Sequence, residues 1–234
     1  MRIMLVLGLT TAVAGCGALS GGSSASRSFA LSNFDGVRLT GSDDVRVVQG
    51  AAFSVVATGQ LKVLKQLDIR VEGSTLVVAR APQKGWRISW ADTSADVTVT
   101  MPSIRSAQIT GSGNMAVDRA VAAAFEAGLT GSGDLNIDKI EAGAATLRLT
   151  GSGDIRAAGQ VPKLSLAVQG SGDIDARDLA AETVDVAVRG SGNVRSAARR
   201  SATISVAGSG DVQVSGTKDC TISQTGSGDA SCTG

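Results

Sequence analysis

One tetrapeptide carries most of the residues that could do chemistry. Gly-Ser-Gly followed by Asp or Asn recurs at Gly111, Gly131, Gly151, Gly170, Gly190, Gly208 and Gly226, in steps of 20, 20, 19, 20, 18 and 18 residues. Its last position puts Asn114, Asp134, Asp154, Asp173, Asn193, Asp211 and Asp229 in register. Stacked carboxylates offer oxygen ligands to calcium, but the calcium-binding roll uses a nine-residue Gly-Gly-x-Gly-x-Asp repeat that these steps do not match. Carboxylates about 4.8 Å apart at a wet surface repel by roughly 0.9 kcal/mol per pair. Only Asp134/Asp154, Asp154/Asp173 and Asp211/Asp229 are adjacent acids, because Asn114 and Asn193 interrupt the row. A total near ~3 kcal/mol is tolerable without metal, so the reading preferred here is turn residues capping their own loops, with no metal and no cofactor.

The same repeat aligns Ser112, Ser132, Ser152, Ser171, Ser191, Ser209 and Ser227. With no His in the chain and no Gly-x-Ser-x-Gly elbow opening a helix, these are corner residues and not nucleophiles. A phosphate loop would need Gly-Lys-Ser/Thr before a helix, which is absent. Trp86 and Trp90 are the only tryptophans, in Lys84-Gly85-Trp86-Arg87-Ile88-Ser89-Trp90. On a strand, Trp86, Ile88 and Trp90 share one face and Arg87 takes the other. Paired indoles beside Arg87 make a candidate sugar-stacking platform; the plainer reading is packing of a β-layer. Cys220 and Cys232 are twelve residues apart and form no Cys-x-x-Cys redox motif. In an oxidising compartment they are expected to pair as a structural disulfide.

Positioning these residues falls to a chain of 234 residues, long enough for one or two domains. It holds 30 Gly and only 3% aromatics, with no Tyr and no His. The absence of His removes Ser-His-Asp and Cys-His catalysis and most zinc sites. With 22 Lys+Arg against 21 Asp+Glu, the net charge is +1, too small to recruit nucleic acid.

Met1-Arg2-Ile3 supplies one positive charge, and Met4 to Val13 is almost wholly apolar but too short to span a bilayer. The run ends in Val13-Ala14-Gly15-Cys16. That ending resembles the lipobox of bacterial lipoproteins, which implies a signal peptide over residues 1–15 and acylation of Cys16. A plain secretory signal with an incidental Cys is the competing reading. Similarity to Gram-negative lipoproteins implies three acyl chains, enough for stable anchoring, and Gly17 in place of Asp is similar to those sent to the outer membrane. Residues 16–28, the lipidated Cys and a Gly/Ala/Ser run, read as a flexible tether.

Between the Gly-Ser-Gly corners apolar residues alternate with polar ones, as in Leu147 and Leu149, Leu164, Leu166 and Val168, or Val184, Val186 and Val188. This marks strands with one buried face. A period near 20 residues predicts a solenoid whose coils bury their apolar faces by stacking. The fold expected is therefore all-β, a right-handed parallel β-helix over residues 105–234 with an N-terminal β-rich capping layer over 29–104. A run of antiparallel hairpins is the alternative, since Gly-Ser-Gly-Asp also suits hairpin turns. Within the layer, Gln60 to Gln66 reads as one or two helical turns.

The Phe34-Asp35-Gly36 strand, Gly73-Ser74-Thr75-Leu76, Val99-Thr100-Met101-Pro102 and the serial corners together resemble the GIN-domain family of autotransporter-adhesin head domains. The resemblance spans about residues 30–230. It implies a right-handed β-helix in a bacterial envelope lipoprotein and brings no catalytic residues. The function expected is thus a non-enzymatic, adhesin-like binding module at the cell envelope, anchored to the membrane by lipid. Its ligands would be glycans or surface proteins, and end-to-end oligomers are compatible with the fold. A periplasmic structural scaffold is the alternative. A polysaccharide-cleaving enzyme ranks third, because the short repeats leave no room for groove-lining loops.

Overall fold

Residues 24–81 and 94–234 are described by a computed structural model. Cys16, Trp86, Arg87 and Trp90 lie outside the described residues, so the lipid site and the tryptophan platform stay as sequence expectations.

Strands dominate because β-branched and Leu residues alternate with polar ones from end to end. The N-terminal part runs β1 (Ser24–Phe29), β2 (Gly36–Gly41), β3 (Asp44–Gln49), β4 (Ser54–Gln60), one helical turn α1 (Leu61–Leu64), β5 (Leu67–Glu72), β6 (Thr75–Arg80) and β7 (Asp96–Met101). The repeats follow as β8 (Ser106–Gly111), β9 (Met115–Val117), β10 (Ala120–Gly131), β11 (Asp134–Gly151), β12 (Asp154–Gly170), β13 (Ile174–Gly190), β14 (Val194–Gly208), β15 (Val212–Ser215), β16 (Cys220–Gly226) and β17 (Ala230–Thr233).

The long strands are bent around the coil. In β12, residues 155–156 pair with the next coil on a short side, the register shifts between Arg156 and Gly159, and residues 163–170 pair on a long side. Successive coils therefore stack in register, with Leu147 beside Leu166, Leu166 beside Val186 and Val186 beside Ile204. From Ser106 onward every described ladder is parallel. That rules out hairpins for the repeats: residues flanking a Gly-Ser-Gly corner pair with the neighbouring coils and not with each other. The protein is a parallel β-solenoid with coils of about 20 residues.

Its core is a column of single residues. On the long side Leu147, Leu149, Leu166, Val168, Val186, Val188, Ile204 and Val206 are each no more than 3% exposed, as are Leu135, Ile155, Ile174, Val194 and Val212 opposite. Each contributes about 1.5–3 kcal/mol of transfer free energy, and no coil could hide its row without the next.

The stack begins earlier than the regular repeat. Gly41 pairs with Gly111 and Val45 with Met115, so residues 36–49 form a coil directly below residues 106–117. The described residues between 50 and 105 lie beneath that coil. β6 pairs with β2, and β7 with β3, both in parallel. β5 then covers β6, β4 covers β7 and β1 covers β4, all antiparallel. The antiparallel ladders are thus confined to this cap, where α1 buries Val63 and Leu64.

Candidate functional site

The corners form one continuous ladder. Each first glycine has positive φ, +125° at Gly151, which lets the chain turn without a Cβ penalty. At most corners its carbonyl accepts from two amides of the next coil: Ser152 N–H and Gly153 N–H both donate to Gly131 O, at 2.9 and 3.2 Å. The acid or amide beside the corner adds a side-chain rung. Asp134 N–H donates to Asn114 Oδ1 at 3.0 Å, Asp154 N–H to Asp134 Oδ1 at 3.3 Å, and Asp229 N–H to Asp211 Oδ1 at 2.9 Å. The expectation that these residues cap their own loops is corrected: Asn114 through Asp211 each staple the following coil, 18 to 20 residues along the chain. Asparagine does more, since Asn193 Nδ2–H also donates to Asp173 Oδ1 at 2.9 Å and replaces a like charge. Asn114 does the same toward Asp44 at 2.8 Å.

Two residues beyond each acid, a second column shares the outer face of the short side. It runs Arg46, Ala116, Asn136, Arg156, Asp175, Arg195, up successive coils. Ala116 is the one small residue among them. Above it opens a groove of about 510 Å³, walled by Arg46, Asn136 and Arg156 on one side and Asp44, Asn114 and Asp134 on the other. Asp96 and Thr98 close its lower end.

The groove is lined by charges of both signs, Arg46 and Arg156 against Asp44, Asp96 and Asp134. Arg156 Nη2 lies 3.3 Å from Asp154 Oδ2, a partly exposed pair worth under about 1 kcal/mol. Asp44 Oδ1 is engaged by Asn114 and its Oδ2 accepts from Ser94 Oγ at 3.3 Å. Arg46 makes no ion pair among the described residues. Farther up, the hydrogen bond from Arg177 holds the Asp175 carboxyl below the usual carboxylate range, against partial desolvation and with help from Arg195. Among the described residues no group of three or more His, Cys, Asp or Glu is placed to hold a metal ion.

Asp43 was hidden in the sequence as part of a loose relative of the repeat, Gly41-Ser42-Asp43-Asp44. It occupies the position of the second glycine and is fully buried. Arg80 Nη2 and Nε donate to its two oxygens at 2.7 and 2.9 Å, and Ala95 N–H donates at 2.8 Å. Arg80 and Ala95 stand just before and just after the segment that carries Trp86, Arg87 and Trp90.

Cys220 and Cys232 form a disulfide with their Cα atoms 6.6 Å apart. Their partners in the coil below are Ala202 and Val214, both core residues. The disulfide thus stands in the core column of the last coil and ties its long side to its short side. Closing a loop of twelve residues stabilises by about 3 kcal/mol in the chain-entropy view. Because a solenoid frays from its ends, Cys220→Ser/Cys232→Ser is expected to release β16 and β17 first. Hydrogen exchange should speed there and stay unchanged in β11 and β12; uniform acceleration along the chain would contradict this.

A stack of parallel coils with a Gly-Ser-Gly ladder and an N-terminal cap of antiparallel strands defines a capped parallel β-solenoid. Residues 33–217 match the family described as "Putative auto-transporter adhesin, head GIN domain", and the chain belongs to that family. A crystal structure of a putative adhesin from Bacteroides fragilis superposes with a TM-score of 0.83 at 19% identity, covering 90% of this chain and 97% of that one. A putative lipid binding protein from Parabacteroides distasonis gives 0.69 at 23% identity, covering 91% and 96%. A putative adhesin from Parabacteroides merdae gives 0.63 at 16%, again covering 91% and 96%. These likenesses show the fold. No curated protein matches. Family membership supports an adhesin-like role at the cell surface or envelope.

Proposed function

We propose that the chain is a non-enzymatic, adhesin-like binding module of the bacterial envelope, held to the outer membrane by lipid on Cys16, and that it binds glycans along the short side. The observation that carries this is the groove over Ala116. There a row rich in acceptors (Asp44, Asn114, Asp134) runs beside a row rich in donors (Arg46, Asn136, Arg156), which Ala116 interrupts. Each sugar hydroxyl both donates and accepts, so parallel rows of opposite hydrogen-bonding sense suit a polyhydroxylated polymer laid along the solenoid axis. Such an open groove buries little of a small ligand, whereas an extended one gains a contact at every coil. The tryptophan pair Trp86 and Trp90, with Arg87, supplies stacking surface in the segment between Arg80 and Ala95.

The test is a screen of glycans and envelope polymers on residues 17–234. Arg46→Ala/Arg156→Ala is expected to weaken binding at least about tenfold, the loss of roughly 1.4 kcal/mol, with no change in melting temperature. Trp86→Ala/Trp90→Ala reports separately on the stacking surface. No binding to any polymer, or binding indifferent to both pairs, would move the reading to a periplasmic scaffold with a protein partner.

A further inference from the structure

We infer that two copies of this chain pair through the open C-terminal edge of the solenoid, with β16 antiparallel to β16 of the second copy. The two ends of the stack are unlike. At the N-terminal end, β2 and β3 are covered by β6 and β7, and these by β5 and β4. At the other end β16 pairs with β14, and β17 with β15, and no further described strand covers either. Ile222 stands directly above Ile204. Ile204 is 1% exposed and Ile222 is 42% exposed, although both occupy the same core column. The corner ladder also stops: Gly208 O accepts from Ser227 N–H and Gly228 N–H, while among the described residues no following coil donates to Gly226 O or to the Asp229 carboxylate.

The features of this edge favour a second copy as its occupant. The strand Cys220-Thr221-Ile222-Ser223-Gln224-Thr225-Gly226 carries no charged side chain, so two of them approach without like-charge repulsion. It has neither the lysine nor the proline that guards an exposed edge. The opposite end does not match it: the outermost cap strands there, β1 and β5, carry Arg27 and Asp68, Arg70 and Glu72, so an uncharged β16 finds its like only in another β16. Only a two-fold arrangement joins like ends, and it closes at two copies. The Cys220–Cys232 disulfide fixes the start of β16, so the edge is ordered before it pairs. With the two-fold axis near Ile222, each isoleucine covers the other and the core column continues across the interface.

Sedimentation equilibrium on residues 17–234, which hold every described strand, reads the association. A monomer–dimer equilibrium is expected, with the dimer predominant at about 100 µM. Ile222→Lys puts a charge into the shared core column and is expected to raise the dissociation constant about 100-fold. Its melting temperature, read on the dilute monomer, should not change. Val121→Lys, at a valine equally exposed on the side of the solenoid, should leave the dimer intact. In the unaltered chain, exchange of the β16 amides should slow as concentration rises. A chain that stays monomeric at about 100 µM overturns the inference, and so does a dimer that Ile222→Lys leaves unweakened.

Discussion

Gly153→Ala is expected to cost about 4 kcal/mol or more, a large share of the roughly 5–15 kcal/mol that holds a typical domain folded. The reason lies outside the residue itself. Gly153 does not have positive φ, so its backbone would accept alanine without strain. A Cβ there would instead fall within 3.0 Å of Gly133 O and of Leu129 Cδ2 in the coil below. The carbonyl is part of the stacked corner, and the coils sit at the spacing of hydrogen-bonded strands, about 4.8 Å. Relief requires prising two coils apart, which breaks the paired amide bonds to Gly131 O and opens the core column. Gly73, in the turn between β5 and β6, is the control. It has φ +61° and nothing within 4 Å of its would-be Cβ, so Gly73→Ala should cost only about 1 kcal/mol of backbone strain. Urea unfolding of both variants separates the causes. Equal losses would mean that conformational freedom, and not close approach of coils, is what the second glycine provides.

That glycine shows where sequence reading succeeds and where it stops. The 18 to 20 residue period, the alternation of Leu164, Leu166 and Val168, and the need for positive φ at the corner are all local, and local patterns are written in the chain. The collision at Gly153 is a contact between residues 20 apart, as is the bond from Asp154 N–H to Asp134 Oδ1. A motif search sees Asp in a turn and assigns it to that turn; only stacking shows that its partner lies in the coil above. The pairing of Gly41 with Gly111 is harder still, because Asp44 and Asn114 are 70 residues apart and a whole cap is inserted between them. Parallel coils were legible in the period of about 20 residues, whereas the two-residue alternation alone fits hairpins equally well, since both bury alternate residues. The groove was invisible for a simpler reason: it exists because Ala116 is small where its neighbours up and down the column are long, and a column is not a sequence.

Asp43→Ala is expected to cost about 3–5 kcal/mol, the usual loss when one member of a buried ion pair is removed. Asp43 is fully buried and its side chain accepts three hydrogen bonds, two from Arg80 and one from Ala95 N–H. Those donors come from the end of β6 and the residue before β7, the two strands that carry the cap back beneath the first coil. The bond to Ala95 is buried, and its amide would be left without that acceptor in a site with little water. Asp43→Asn keeps an oxygen for Ala95 but not the charge for Arg80, and should lose roughly half as much. The decisive variant is Asp43→Gly, which installs the residue that Gly113, Gly133 and Gly153 supply in the coils above. If position 43 were one more corner, matching the repeat would be neutral or stabilising. At Gly113 a side chain would collide with Asp43 O below it, but below Asp43 there is no further Gly-Ser-Gly corner, and the carboxylate fills that place and binds the cap. Asp43→Gly should therefore destabilise at least as much as Asp43→Ala, with hydrogen exchange rising first in β6 and β7 and last in β12 and β13. A stabilised Asp43→Gly protein would show that the cap is held by its strand pairing alone.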